Sequence, residues 1–94
     1  MMHIYVSGRV QGIGFRAWAQ KKATELNLSG WVRNRQDGRV EILADGEPEP
    51  IHRFLLMCHR GPMLARVDKV EPVSIPDAPL PPVAAGTFTH QATV

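Results

Sequence analysis

A glycine-rich stretch near the amino terminus, "SGRVQGIGFRAW", holds the residues of this chain best suited to chemistry on an anion. It contains three glycines and two arginines and no acidic residue. Gly8, Gly12 and Gly14 allow successive backbone N–H groups to turn toward one point, and the N-terminus of a following helix adds partial positive charge. We therefore predict a phosphate-binding loop between the first strand and the first helix.

Arg16 is the most informative single residue of this stretch. It falls in the first turn of the predicted helix, where a cation opposes the helix dipole at a cost of a few tenths to about 1 kcal/mol. A bound anion is the most economical explanation of such a conflict. The alternative is that Arg16 reaches solvent or a distant acid, as isolated arginines commonly do. The absence of any Asp or Glu from Met1 to Thr24 favours the anion.

Three known phosphate-binding motifs do not fit the stretch. A P-loop needs a Gly-Lys-Ser/Thr sequence, and none follows Gly8. "GIGFRA" matches one form of the dinucleotide fingerprint, but a doubly wound domain needs a longer chain, and Asp37, the acid at a suitable distance, lies in a hairpin turn. A kinase glycine loop has no accompanying catalytic residues here.

Residue periodicity predicts the elements that position the loop. "HIYVSGRV" alternates as a strand, with Ile4 and Val6 on one face. Apolar residues at helical spacing predict a first helix over Phe15–Leu26, with Asn27 as its left-handed cap. "LSGWVRNR" and "RVEILADG" form a β-hairpin around an Asp-Gly turn at residues 36–38.

The second half of the chain predicts one more helix and two more strands. "GEPEP" is typical of a first helical turn, and an apolar stripe at Ile51, Phe54, Leu55 and Cys58 follows until Gly61-Pro62 ends the helix. "ARVDKVEPVSI" predicts a fourth strand. The four prolines of residues 76–86 predict a loop that leads to a short edge strand in "TFTHQATV".

The resulting order is β-α-β-β-α-β with a short C-terminal edge strand. An antiparallel-rich sheet with both helices on one face buries two amphipathic helices, which is the ferredoxin-like split β-α-β sandwich of the α+β class. We expect one domain over residues 1–94, because chains below about 100 residues rarely support two cores.

Composition narrows the location and partners. No apolar run approaches the roughly 18 residues of a membrane span, and the start of the chain lacks the layout of a signal peptide. Cys58 is the only cysteine, which fits the reducing cytoplasm. A net charge of +2 and a pI of about 9.1 are too mild to indicate nucleic-acid binding.

Two motifs closely resemble the acylphosphatase family: "GRVQGIGFR" matches its signature G-R-V-Q-G-V-x-F-R, and "GWVRN" matches the G-W-V-x-N that follows the first helix. The resemblance extends from about Tyr5 to Val70. It implies the same fold and the hydrolysis of acyl phosphates, which are carboxyl-phosphate anhydrides, to a carboxylate and inorganic phosphate. It also implies that Arg16 binds the phosphoryl group and Asn34 positions the attacking water. By the same resemblance, the backbone amides that contact the phosphate oxygens belong to Gln11, Gly12, Ile13, Gly14 and Phe15.

The chemistry fits these residue types without a metal or cofactor. The carboxylate of an acyl phosphate is already a good leaving group, so the enzyme supplies mainly positioning and charge stabilisation. We expect a monomer that acts on small acyl phosphates. Arg35 stands where many relatives have threonine, and it could either tighten phosphate binding or be a solvated hairpin residue.

The remaining reactive residues suggest no second site. His52 and His59 are seven apart on a helix, about 10 Å, which is too far for joint metal ligation. Cys58 shares the apolar stripe and is better explained as a core residue than as a nucleophile. Trp18, Trp31 and Phe54 are likewise assigned to the core.

Two alternative functions stay open on the sequence alone. The same fold could serve as a nucleic-acid-binding module, although "RVEILADG" lacks the aromatic pattern of RNA-recognition strands. It could also bind phosphate or an acyl phosphate without turning it over.

Overall fold

A computed structural model describes residues 1–74 and 86–94, and the elements follow the predicted order. The predicted proline-rich loop at residues 76–86 lies, apart from Gly86, outside the described residues. Neither described helix is long and apolar enough to cross a membrane. The elements are β1 (Met2–Arg9), α1 (Phe15–Glu25), β2 (Ser29–Asn34), β3 (Val40–Asp45), α2 (Pro48–Arg60), β4 (Arg66–Ser74) and β5 (Phe88–His90).

The five strands form one sheet in the order β4-β1-β3-β2-β5. β1 pairs antiparallel with β3 and β4, β2 pairs antiparallel with β3, and β5 pairs parallel with β2. The last strand is therefore an edge strand as predicted, although only three residues of "TFTHQATV" form it. Because β1, β2 and β5 run in the same direction, their C-terminal ends lie at one end of the sheet.

The hydrophobic core lies between the helices and one face of the sheet, which confirms the ferredoxin-like prediction. Ile4 and Val6 are fully buried there, as the alternation in β1 predicted. α1 ends one residue earlier than predicted, with Leu26 as its cap, and Asn27 adopts the left-handed conformation at φ 58°. The helices contribute Phe15, Ala19, Ala23, Ile51, Phe54 and Cys58 to the core.

The opposite face of the sheet is also partly buried, and it corrects one assignment. Trp31 is fully buried, but it lies on this face, because its neighbour Val32 is the residue that joins the core. The guanidinium of Arg33 lies 4.6 Å from the centre of the Trp31 ring. Trp31 is thus a buried residue as predicted, but it is not part of the core under the helices.

Glu41 is the centre of a polar cluster on this second face. Its side chain is 1% exposed, and its Oε1 accepts a hydrogen bond from Nε of Arg33 at 2.7 Å. Its Oε2 lies 2.7 Å from Nε2 of His3 and accepts a hydrogen bond from the Tyr5 hydroxyl at 3.1 Å. Paired and hydrogen-bonded in this way, a carboxylate is tolerated in a buried position.

We expect Glu41→Gln to destabilise the protein by about 3 kcal/mol at pH 7, because it leaves the Arg33 charge without its partner. Burial raises the pKa of the Glu41 carboxyl, but the hydrogen bonds from Arg33 and His3 outweigh it and the pKa is lowered. A carboxyl group whose pKa is lower in the folded than in the unfolded state stabilises the fold at pH values above its unfolded pKa. This stabilisation is lost as the pH falls through its folded pKa.

The cost of Glu41→Gln should therefore shrink as pH falls below the ordinary glutamate pKa of about 4.3. Urea unfolding at neutral and acidic pH measures it. Glu49→Gln is the matched control, since Glu49 forms an exposed helical pair with Arg53 at 2.8 Å, and such pairs contribute about 0.5 kcal/mol or less. An equal loss from Glu41→Gln at both pH values would contradict the account.

Candidate active site

The C-terminal ends of β1, β2 and β5 meet the N-terminus of α1 around a small cleft. Its volume is about 110 Å³. The loop after β1 forms one wall, the first turn of α1 forms the second, and the ends of β2 and β5 form the third. The lining residues are Val10, Gly12, Gly14, Phe15, Arg16, Ala17, Asn34 and His90.

The first turn of α1 presents unpaired backbone donors to this cleft. Gly14 is the N-cap residue and adopts a left-handed conformation, with φ 80°, and no side chain caps the helix. The first helical hydrogen bond runs from the Trp18 N–H to the Gly14 carbonyl at 3.0 Å. The N–H groups before Trp18 therefore have no partner within the helix. The first turn also contains no acidic side chain, so the positive end of the dipole is uncompensated.

The backbone conformation at positions 12 and 14 requires glycine. Both have positive φ, 75° and 80°, which side-chain-bearing residues rarely adopt. Added β-carbons would meet no atom within 4 Å, so crowding is not the reason for glycine. The two residues turn the chain from β1 into α1, and the space beside each of them is open.

Gly8 has a different position from the one predicted. It lies within β1, at an irregularity in the pairing with β4, and a β-carbon there would collide with the backbone of Arg66. Gly8 is glycine because two strands approach closely at this point. It therefore does not line the cleft.

The side chains of Gln11 and Ile13 do not line the cleft, and both make contacts elsewhere in the fold. Nε2 of Gln11 donates hydrogen bonds to the carbonyls of Arg35 at 2.7 Å and Arg39 at 2.8 Å. This side chain ties the loop to the β2–β3 hairpin. Ile13 is half-buried and packs against the core. Neither residue is among the lining residues, so a role for their backbone amides in the cradle stays a prediction.

Arg16 lines the cleft with a half-buried side chain. Its Nη1 donates a hydrogen bond to the carbonyl of Gln91 at 3.2 Å, which links the guanidinium to the segment after β5. Among residues 1–74 and 86–94, no carboxylate lies within 4 Å of the guanidinium. The distant acid that would explain Arg16 without a ligand is thus missing from the described part of the chain.

Asn34 ends β2 at the same cleft and is 8% exposed. Its backbone is held from both sides, by pairing with Val40 and by a hydrogen bond from the Val94 N–H at 3.1 Å. Its side-chain Oδ1 is buried and accepts no hydrogen bond from any described residue. An unsatisfied buried acceptor costs about 1–3 kcal/mol, so it calls for a specific reason.

Arg35 belongs to the Glu41 cluster and not to the cleft. Its Nη1 lies 3.4 Å from Oε1 of Glu41, and its side chain is about one-third exposed. Since side chains alternate along a strand, Asn34 and Arg35 point to opposite faces of the sheet. Arg35 is therefore not a freely solvated hairpin residue, and it is not among the residues that line the cleft.

Cys58 is a core residue, as the apolar stripe predicted. It is fully buried between α2 and the sheet, and burial raises the pKa of its thiol to about 12. A thiol of this kind is not a nucleophile at neutral pH.

Sequence reasoning missed two neighbours of the site, His90 and Gln91. Both follow from the pairing of β5 with β2, which is parallel and covers only three residues of β5. The sequence offered one indication of this position: side chains alternate along a strand, so His90 lies on the same face of β5 as the buried Phe88. The strand that β5 would join could not be read from the sequence.

The arrangement is suited to an anion with the size and charge of a phosphoryl group. The uncapped first turn of α1, the Arg16 guanidinium and Asn34 line one small cleft, and none of its described lining residues carries a carboxylate. Such a site on a ferredoxin-like sandwich defines a class of small phosphoryl-binding α+β proteins.

The chain belongs to the acylphosphatase family, whose family model matches residues 2–79. A relative named Acylphosphatase from Alcanivorax borkumensis is 54% identical over 68 residues, which is 72% of this chain and 74% of the relative. Another from Thermus thermophilus is 58% identical over 66 residues, 70% of this chain and 75% of the relative. The crystal structure of acylphosphatase from Bacillus subtilis superposes with a TM-score of 0.86 at 34% identity and covers 96% of each chain.

These comparisons decide the class of reaction. The protein is an enzyme that hydrolyses acyl phosphates and releases inorganic phosphate. They give no support to a nucleic-acid-binding or non-catalytic module.

Proposed function

We propose that Arg16 and the helix N-terminus hold the phosphoryl group of the acyl phosphate, while Asn34 orients the water that attacks phosphorus. The planar guanidinium offers a fork of donors to two phosphate oxygens. The backbone N–H groups of the cradle, from Gln11 to Phe15, bind the remaining oxygens. The hydrogen bonds from both sets of donors strengthen as negative charge shifts onto the phosphate oxygens in the transition state.

The reaction itself requires little from the protein. Water attacks in line, the P–O bond to the acyl group breaks, and the carboxylate leaves with the bonding electrons. The amide of Asn34 accepts a hydrogen bond from the water, but it cannot take up a proton at neutral pH. The proton therefore passes to the substrate or to bulk water.

One observation carries this proposal. Asn34, whose buried Oδ1 accepts no hydrogen bond from any described residue, lines the same cleft as Arg16 and the uncapped start of α1. In the proposed complex, a water is held on this oxygen and faces the phosphoryl group bound by Arg16 and the first turn of α1. The arrangement needs no acidic or metal-bound group to activate the water.

We expect the protein to hydrolyse benzoyl phosphate without a metal. The rate should be unchanged, within experimental error, after extended treatment with EDTA and in metal-stripped buffer, because the donors named above are all backbone and side-chain groups. A spectrophotometric assay of benzoyl phosphate hydrolysis measures it. A rate that falls on chelation and recovers on addition of a divalent cation would contradict metal independence.

We further propose that the enzyme acts as a monomer in the cytoplasm. Each role in the proposed mechanism is assigned to a residue of this chain, and none is left for a second copy to supply. The single cysteine is buried, which is consistent with a reducing compartment.

A further inference from the structure

His90 lines the cleft, but the mechanism above assigns it no role. β5 pairs with β2 so that His90 lies beside Val32, on the helix-facing side of the sheet. Asn34 lies two residues beyond Val32 on the same face, about 7 Å along the strand. The side chain of His90 is exposed and lines the same cleft as the side chains of Asn34 and Arg16.

The charge around His90 favours an anion between it and Arg16. Arg16 donates its hydrogen bond to the carbonyl of Gln91, the residue next to His90, so the guanidinium contacts the segment that carries His90. Among the lining residues, the titratable side chains are Arg16 from α1 and His90 from β5. The loop after β1 and the end of β2 contribute none, and no carboxylate faces the imidazole from these elements. A phosphoryl dianion bound between a guanidinium and an imidazolium is attracted by both.

We propose that His90 is a phosphate-binding residue of this enzyme, and the proposal rests on the phosphoryl site proposed above. In its protonated form the imidazolium donates a hydrogen bond to the phosphoryl oxygen that faces β5. The bound phosphoryl group favours this form, so a proton from solvent is taken up when phosphate binds. The neutral form keeps one N–H donor but loses the charge.

The side chain of His90 is exposed and its charge is screened by water, so we expect it to affect binding more than the chemical step. An interaction made equally with substrate and transition state changes KM and leaves kcat unchanged. The hydrogen bond to the transferred phosphoryl group persists through the reaction, and the inorganic phosphate that is released has the same oxygens. Product inhibition by phosphate therefore reports the contact directly.

The test measures the inhibition constant of inorganic phosphate, with benzoyl phosphate as substrate, from about pH 5.5 to 8.5, the range in which histidines exchange protons. The readout is the ratio of the constant for His90→Gln to that of the unaltered enzyme at each pH, because the ionisation of phosphate itself cancels in this ratio. We expect a ratio of about five at the acidic end and below about two at the alkaline end. The kcat of His90→Gln should stay within about two-fold of the original.

Two further variants make the result decisive. His90→Lys retains a positive charge across the range and should keep tight phosphate binding at the alkaline end. His59→Gln, on the exposed side of α2, removes the same kind of group away from the cleft and should leave the ratio at one. A ratio that does not change with pH, or that matches His59→Gln, would overturn the role of His90. If phosphate bound equally well to Arg16→Ala, the phosphoryl site itself would be wrong, and this outcome is distinct from the first.

Discussion

Arg16→Ala should lower kcat/KM for benzoyl phosphate by about three orders of magnitude or more. Removal of one preorganised donor to a developing oxyanion costs about 10²–10³ in rate, and an arginine that neutralises a transferred phosphoryl group contributes about 10³–10⁵. Phosphate inhibition should weaken at the same time. Steady-state kinetics with benzoyl phosphate and inorganic phosphate measure both effects.

The stability of Arg16→Ala should not follow its activity. The variant loses the hydrogen bond from Nη1 to the Gln91 carbonyl, which contributes about 1 kcal/mol. It also removes a cation from the first turn of α1, where the helix dipole disfavours positive charge by about 0.3–1 kcal/mol. These contributions have opposite signs, so the free energy of unfolding should change by less than about 1 kcal/mol. Chemical denaturation followed by tryptophan fluorescence measures this change.

Two further variants test whether the substrate needs the planar guanidinium of Arg16 or only positive charge near the cleft. Arg16→Lys keeps a positive charge but lacks the planar fork, so it should recover only part of the lost rate. Arg9→Ala removes an exposed arginine at the end of β1 and should leave kcat/KM within about two-fold. Full activity in Arg16→Lys would show that charge alone is needed. An equal loss in Arg9→Ala would show that the general positive potential, and not one contact, binds the substrate.

Much of the fold could be predicted because local patterns and tertiary packing agree. The alternation of Ile4 and Val6, the helical stripe of α2 and the Asp-Gly turn with Gly38 at φ 98° each specify one element. Each helix also buries one stripe of residues, and both stripes pack on the same face of the sheet. The burial of Trp31 on the other face was not predictable, because β2 is buried on both sides and shows no alternation.

The site was less predictable because it is formed by the ends of strands that are distant in sequence. The local part, from Gly12 to Arg16, could be recognised from glycine conformation and from a cation at the wrong end of a helix. The contacts of Gln11 with the hairpin and of Arg16 with Gln91 join residues 24 to 75 positions apart. The ion pair of Arg35 with Glu41 could not be predicted, because it depends on which face of the sheet the residue after β2 points to.

Asn34→Ala should lower kcat by about 10²–10³ while phosphate inhibition stays within about three-fold of the original. Asn34 is proposed to hold the attacking water and not the phosphoryl group, so its loss should affect the reaction more than ground-state binding. Because an amide cannot accept a proton at neutral pH, kcat of the unaltered enzyme at saturating substrate should be flat between about pH 5 and 8. A sigmoid in kcat with a histidine-like midpoint would instead indicate a general base.

The stability of Asn34→Ala provides the second readout of the same role. In the folded protein Oδ1 is buried without a described partner, so its removal takes away an acceptor whose burial is unfavourable by about 1–3 kcal/mol. Lost packing opposes this gain, and the free energy of unfolding should be unchanged or slightly raised. Gln36→Ala, an exposed change in the same hairpin, should alter neither activity nor stability by a comparable amount. If Asn34→Ala is strongly destabilised but has a near-normal kcat, the amide stabilises β2 and does not hold the water. If Asn34→Ala is inactive and fully stable, the residue acts in catalysis, which is the result we expect.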